Sequence, residues 1–252
     1  MEKIAVISDI HGNIPALEAV LKDIRERGIK RIFCLGDLTG KGPHGDKAID
    51  ICREQCEVVL QGNWDCLVAG GEGPEFLQLD WHRERLGEER ISYLDNLPGS
   101  IDFYFSGRKV RLFHTSNQGV MQRVYNGNPG DALGPMFANT EFTGDFFTPD
   151  TIGFADIHHV FYFCRFNKVL FNTGSVGNAV DEPSAAYVIM EGNYGEKRKG
   201  YFSLQILRLT YDVELAIHQA EEEGMPDIEP YAIELREGRY RGLQRLKDEG
   251  KI

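Results

Sequence analysis

The sequence predicts an α/β fold whose first third is a parallel sheet with helical crossovers. Three observations predict it. Strand-like and helix-like segments alternate from residue 4 to residue 62. The strand-like segments are continuous apolar runs, as strands buried on both faces are. Several of those runs also stop abruptly at Asp, Asn or His, which puts polar chemistry at the strand ends.

Taken in order, IAVIS (4–8) is apolar and β-branched and reads as the first buried strand. Pro15 opens a helix, where its missing N–H is harmless. Leu17, Val20, Leu21 and Ile24 recur at helical spacing, and Gly28 ends the run. RIFCLG (31–36) reads as the second strand, DKAIDICRE (46–54) as a shorter helix and EVVLQG (57–62) as the third strand. This order predicts parallel pairing through right-handed crossovers. Residues 66–87 lose the pattern. EERISYLDNLP reads as a helix that ends before Pro98. IDFYFSGRKVRLFH (101–114) alternates around Gly107 and reads as a hairpin. Residues 115–150 form a long irregular stretch, the mark of a cap or binding loop. IGFA (152–155) resumes the core, FYFC and VLFN flank a turn at RFNK, and AAYVIME and SLQILRLTY are further strands. The tail from Asp212 to Ile252 reads as a charged, packed surface helix rather than a catalytic element. With no repeat and no linker, a single domain over 1–252 is expected, with insertions at about 66–87 and 115–150.

Composition narrows the function. The 252 residues carry 28 Lys plus Arg against 39 Asp plus Glu, a formal charge of −11. That balance argues against binding long nucleic acid through a basic surface. A small phosphorylated substrate remains compatible, because bound ions supply positive charge locally. The first apolar run is broken by Asp9 too soon for a signal peptide, and no run nears the roughly 18 residues that span a membrane. The five cysteines lack a C-x-x-C pair and read as reduced thiols, most of them core filling. A cytoplasmic protein without membrane partners is expected, and its oligomeric state stays open.

The strand ends carry the chemistry. SDIHGN (8–13) puts Asp9 and His11 after the first strand, and Asp37 follows the second. GNWD (62–65) follows the third, His114 ends RLFH, and FADIHH (154–159) supplies Asp156 and His158. Carboxyl ends of parallel strands gather on one edge, where α/β folds bind ligands. Oxygen donors mixed with imidazole suit Mn, Fe or Zn. Any one of these pieces could be a cap or a turn. Their recurrence, each directly after an apolar run, points to one site.

Together the motifs resemble those of the calcineurin-like metallophosphoesterases, which read D-x-H, G-D-x-x-G, G-N-[HCW]-[DE], H and G-H-x-H. They stand here as DIH (9–11), GDLTG (36–40), GNWD (62–65), FHTS (113–116) and ADIH (155–158). NTGSVGNAVD (172–181) resembles the segment that follows in the small bacterial phosphodiesterase branch, which includes proteins similar to symmetrical diadenosine tetraphosphate hydrolases. The resemblance covers roughly residues 1 to 190. It implies a four-layer α/β/β/α sandwich with inserted cap loops and two divalent ions, Mn or Fe first, Zn or Ni as alternatives. One ion would take Asp9, His11, Asp37 and His158. The other would share Asp37 and add Asn63, His114 and residue 156. A hydroxide bridging the ions would attack phosphorus in a phosphodiester or nucleotide phosphoanhydride, with Asp37, Asn63, His114 and Asp65 serving catalysis. The alternative is a catalytically weakened member that binds a nucleotide or a metal and regulates.

Two positions depart from the family pattern. Asp156 stands where the family has His. On a continuing strand, 156 and 158 share a face and 159 takes the other, so Asp156 is expected to face the site and His159 to point away. Asp156 leaves a two-ion cluster one positive charge poorer than His would. Ligation, direct or through water, and a hydrogen bond behind the ligands both stay open. Trp64 stands where many relatives have a His that helps protonate the leaving group. Leaving groups that depart as stable anions, such as nucleoside polyphosphates and aryloxides, are therefore expected. Trp64 itself either offers a face to a base or packs its loop. The further substrate-binding candidates are Asn13 at a helix start, His44 in GKGPHG, and Arg83, Arg85 and Arg123 in the two insertions. Each has a plainer alternative, a cap for Asn13 and a solvated surface for the arginines.

Overall fold

The structure, a computed structural model, describes residues 1–74 and 77–240. Two five-stranded mixed sheets stack face to face. In the first, β1 (Glu2–Ile7), β2 (Arg31–Cys34) and β3 (Val58–Val59) run parallel. β9 (Ala185–Gly192) joins the other edge of β1 antiparallel, and β10 (Ser203–Leu209) pairs antiparallel with β9. The second sheet contains β4 (Ser100–Phe105), β5 (Arg108–Phe113), β6 (Thr151–Phe154), β7 (Val160–Arg165) and β8 (Lys168–Thr173), in the order β4-β5-β6-β8-β7. Its middle strands β5, β6 and β8 are parallel, and each edge is a hairpin.

The period of two along each strand sorts the layers. Ile4 and Val6 of β1 face the second sheet, with Phe33, Leu112 and Phe171. Ala5 and Ile7 turn the other way, onto Leu17, Val20 and Ile24 of α1 (Ile14–Glu26) and Ile49 of α2 (Gly45–Gln55). Each such side chain contributes about 1.5–3 kcal/mol by leaving water, and a one-residue slip would turn all of them outward. The outer face of the second sheet, Ile152, Phe154 and Leu170, is covered by Leu133, Met136 and Phe137. That fourth layer is mostly irregular, with one short helix α6 (Pro129–Ala132) and a 3-10 turn at Pro135–Phe137. Arg111 anchors it. The side chain is fully buried, forks onto Asp102 at 2.7 and 2.6 Å, and donates to Asn139, Thr143 and the Phe147 carbonyl.

Three expectations change. The third strand is only two residues long. Leu60 still donates to the Cys34 carbonyl, but the Gln61 N–H turns to Pro98, so the chain leaves the sheet just before GNWD. Residues 66–87 are not patternless. GNWD itself opens α3 (Asn63–Gly70), and α4 (Leu79–Glu84) and α5 (Gly87–Asp95) follow. The expected tail helix is two helices, α7 (Val213–Glu222) and α8 (Ile228–Glu237), packed on one another through Ile217, Ala220, Tyr231 and Leu235. The part of that tail beyond residue 240 lies outside the described residues. Of the cysteines, Cys34 and Cys52 are buried, Cys164 is exposed, and none is paired. No helix among the described residues is long and apolar enough to cross a membrane.

Candidate metal centre

The loops that follow β1 and β2 stay zipped together past the strand ends. The Asp9 N–H donates to Gly36 and the His11 N–H to Asp37, each at 2.9 Å. In these loops, and in the one after β6, the functional side chains sit on left-handed backbone. The φ angles are 53° at Asp9, 50° at His11, 55° at Asp37, 65° at Asp156 and 58° at His158. Such a conformation costs a non-glycine residue about 1–2 kcal/mol and persists only where its surroundings dictate it. Two glycines let those surroundings close in. A Cβ on Gly62 would lie 2.1 Å from Asp37 Oδ1, and one on Gly177 would lie 1.8 Å from the Ile10 carbonyl.

Asp9, His11, Asp37 and His158 are all buried and offer ligand atoms within 4.8 Å of one another. His11 Nδ1 is bonded to the Thr39 carbonyl at 3.0 Å and His158 Nδ1 to the Asn178 carbonyl at 2.5 Å. Those bonds place an N–H on each Nδ1 and turn both Nε2 atoms inward. The two Nε2 atoms are 3.2 Å apart. Both carboxylate oxygens of Asp9 are buried and accept no well-aligned hydrogen bond among the described residues, although His158 Nε2 lies 3.1 Å from Oδ1. Converging ring nitrogens around a buried carboxylate without a well-aligned hydrogen bond are what a cation would resolve, so these residues fit a divalent metal. Burial, with the Lys41 and His158 charges, holds His11 well below its ordinary pKa, in the neutral form that ligates. Burial alone would raise Asp9, but His158 and His114 outweigh it and keep the acid ionised.

The other half of the cluster is satisfied from within. Asp37 Oδ2 stands between the halves, 3.5 Å from His11 Nε2 and 3.4 Å from His114 Nε2. Its Oδ1 accepts the Trp64 N–H at 2.8 Å. His114 bonds through Nδ1 to the Leu35 carbonyl and through Nε2 to Asn63 Oδ1, each at 2.9 Å. Burial would lower its pKa, but Asp37, Asp9 and Asp156 raise it to about 10, so in the ion-free protein it is an imidazolium donating at both nitrogens. Asp156 receives a two-pronged bond from Arg123, Nε to Oδ2 at 2.6 Å and Nη2 to Oδ1 at 2.8 Å.

Asp156 and His158 do face one cavity, though not by strand alternation. β6 ends at Phe154, and left-handed turns aim both side chains. His159 is therefore not turned away. It lines the same cavity, with Nδ1 bonded to the Ile157 carbonyl. Asp65 does not line the cavity. It is fully buried, and its oxygens accept the N–H groups of Asp37, Leu38, Thr39 and Gly62. Burial and the Asp37 charge push it up to about 7 against those four donors. Trp64 packs its ring against Gly40 and also borders the cavity. Asn13 is not placed to hold a substrate. It is buried, Oδ1 caps the Ala16 N–H, and Nδ2 donates to Gly177 and Tyr211. His44 sits at the start of α2 without a side-chain capping bond and is not part of the cavity lining. Arg83 reaches the carbonyls of Val68 and Ala69 at the end of α3, and Arg85 stacks on Trp81, so neither faces the centre.

Residues that pattern reading missed complete the surroundings. Asn178 accepts His158 on its backbone oxygen, takes a bond from Lys41 Nζ at 2.9 Å and donates to buried Glu234 of α8 at 3.0 Å. The charged tail is thus tied to a candidate ligand. His82 of α4 sits edge-on to Trp64 in the cavity wall. The cavity has a volume of about 920 Å³. Asp37, Asn63, Asp156 and His158 line its polar side, and Leu67, Leu77, Tyr125, Pro226 and Pro230 its apolar side.

The comparisons agree with this geometry. The sequence model of the calcineurin-like phosphoesterases matches residues 2–189. An uncharacterized protein of Methanocaldococcus jannaschii, MJ0912, is 31% identical over 237 residues, covering 89% of this chain and 94% of that one. A metallophosphoesterase from Sphaerobacter thermophilus has the same fold, with a TM-score of 0.74 at 23% identity over 94% of this chain and 99% of that one. Hypothetical protein PH1004 from Pyrococcus horikoshii does as well, with 0.75 at 19% identity over 96% and 99%. A model match over three quarters of the sequence, a relative at this identity and a shared two-sheet fold lead to one assignment: the chain belongs to the calcineurin-like phosphoesterases.

Proposed function

We propose that the protein is a metal-dependent phosphoesterase acting on a phosphodiester that carries a bulky apolar or aromatic group. The observation that carries this reading is the buried cluster of Asp9, His11, Asp37 and His158, of which Asp37 and His158 line a large, mostly apolar cavity. These four residues would hold one divalent ion, with Mn or Fe preferred. Asp37, Asn63, His114 and Asp156 would hold a second. When bound, such ions supply Lewis acidity, activating water at neutral pH and offsetting charge on phosphoryl oxygens.

The chain's own groups do the rest. Backbone carbonyls hold the imidazole Nδ1 atoms of His11, His114 and His158, so the Nε2 atoms stay aimed inward without side-chain rearrangement. Asp65 fixes the loop that carries Asp37 through four N–H bonds. Position 64 offers an indole where an imidazole could protonate a departing alkoxide, so the leaving group must be one that departs as a stable anion. Lys41 and Arg123 are the lysine and arginine that line the cavity among the described residues, and both already have partners. That supply of positive charge suits a single phosphodiester better than a polyphosphate chain, which favours the diester over the nucleotide anhydride. The cellular setting proposed for this activity is the cytoplasm.

The test compares bis(p-nitrophenyl) phosphate, a dialkyl phosphate and a dinucleoside polyphosphate with the Mn²⁺-loaded protein. Hydrolysis fastest on the aryl diester, lost on chelation and restored by Mn²⁺, is expected. A loaded protein that cleaves none of the three would refute the reading. One specific observation, the Arg123 fork on Asp156, favours a second reading in which a single ion is held and the protein is a weak catalyst that binds and regulates.

A further inference from the structure

The Arg123–Asp156 pair is the feature that neither the motifs nor the fold anticipates. Arg123 comes from the 115–150 insertion, and its fork covers both oxygens of a carboxylate that stands among candidate ligands. Asp156 is buried, while the Arg123 side chain reaches it from the exposed cavity wall. A guanidinium fork engages a carboxylate through both oxygens at once, and those are the atoms an ion would need. The arginine also brings a positive charge that repels a second cation at short range.

We infer that Arg123 is a clasp that governs uptake of the second ion by competing with it for the Asp156 carboxylate. This rests on the phosphoesterase reading above. The clasp gives the aspartate at 156 a consequence that a histidine there could not have, since a neutral imidazole would not attract the arginine. An entering phosphoryl group offers the same fork a competing anion. Substrate arrival and release of Asp156 to the ion are thereby linked, and an idle enzyme holds one ion more firmly than two.

The experiment is Mn²⁺ titration by calorimetry, with metal content read by elemental analysis, on the parent, R123Q, D156N and the double variant. R123Q is expected to tighten the weaker Mn²⁺ class about tenfold, within the range by which groups behind metal ligands act. In the D156N background the same change should have less than about a third of that effect. Inorganic phosphate should strengthen the weaker class more in the parent than in R123Q. If R123Q leaves that class unchanged or weakens it, Arg123 supports the ligand and the clasp is wrong. A tenfold gain that persists in D156N also overturns it, because the arginine would then act on the ion directly. The diesterase assay reports separately on the enzyme. Hydrolysis without an R123Q effect keeps the enzyme and loses the clasp, whereas an R123Q gain without hydrolysis does the reverse.

Discussion

The two halves of the centre are built from the same residue types and left in opposite states. On one side, Asp9 accepts no well-aligned hydrogen bond, with His158 Nε2 at 3.1 Å, and the Nε2 atoms of His11 and His158 face each other across 3.2 Å. On the other, His114 is an imidazolium bonded to Asn63, and Asp156 is forked by Arg123. The first half is held in a conformation that is unfavourable until a cation arrives. The second has supplied its own positive charges, a proton on His114 and a guanidinium on Asp156. An ion entering the first half parts only imidazole contacts, whereas one entering the second must displace a proton and an arginine. The halves should therefore differ in affinity, although the motif reads as one continuous pattern.

The largest expected effect is at the residue that joins them. Asp37→Asn should lower turnover about 10³-fold, several kcal/mol of transition-state stabilisation, and reduce Mn²⁺ binding in both halves. Near-parental turnover with two ions bound would break the comparison at its centre. Next is Trp64→His, which places an imidazole at the edge of the cavity. It should raise the rate on dialkyl esters about 10²-fold while changing aryl esters little. Equal gains on both would mean that proton donation is not what position 64 lacks. Asn178→Ala removes partners of Lys41 and Glu234 behind His158. It should weaken the tight Mn²⁺ class about tenfold and leave the weak class nearly unchanged. His44→Ala should alter neither rate nor metal content, because His44 is not part of the cavity lining. A clear loss of rate would place it in the substrate path after all.

The floor of the site was legible because each ligand there ends or follows an apolar run, and parallel pairing brings such ends to one edge. Asp9, His11 and Asp37 follow from that alone. Asp156 and His158 were placed correctly for the wrong reason, since strand alternation stops at Phe154 and the backbone turns left-handed at both residues. The rim was not legible. Arg123 meets Asp156 and Glu234 meets Asn178 across 33 and 56 residues of chain, separations that leave no trace in local spacing. The charge of the tail points to a surface helix, yet it supplies Pro226 and Pro230 to the cavity, and its fully buried Glu234 is tied to the loop behind His158. In the fold, the hairpins and the buried strands of the first sheet were readable from periodicity. The fourth layer was not, because a buried arginine, Arg111, organises it rather than a repeating apolar face.

The most direct test of the difference between the halves is Mn²⁺ titration of His158→Ala beside His114→Ala. The account predicts that the parent takes up two classes of ion, that His158→Ala loses the tighter class, and that His114→Ala keeps it and loses only the weaker. A single class in the parent, or loss of the tighter class from His114→Ala with His158→Ala unaffected, would contradict it.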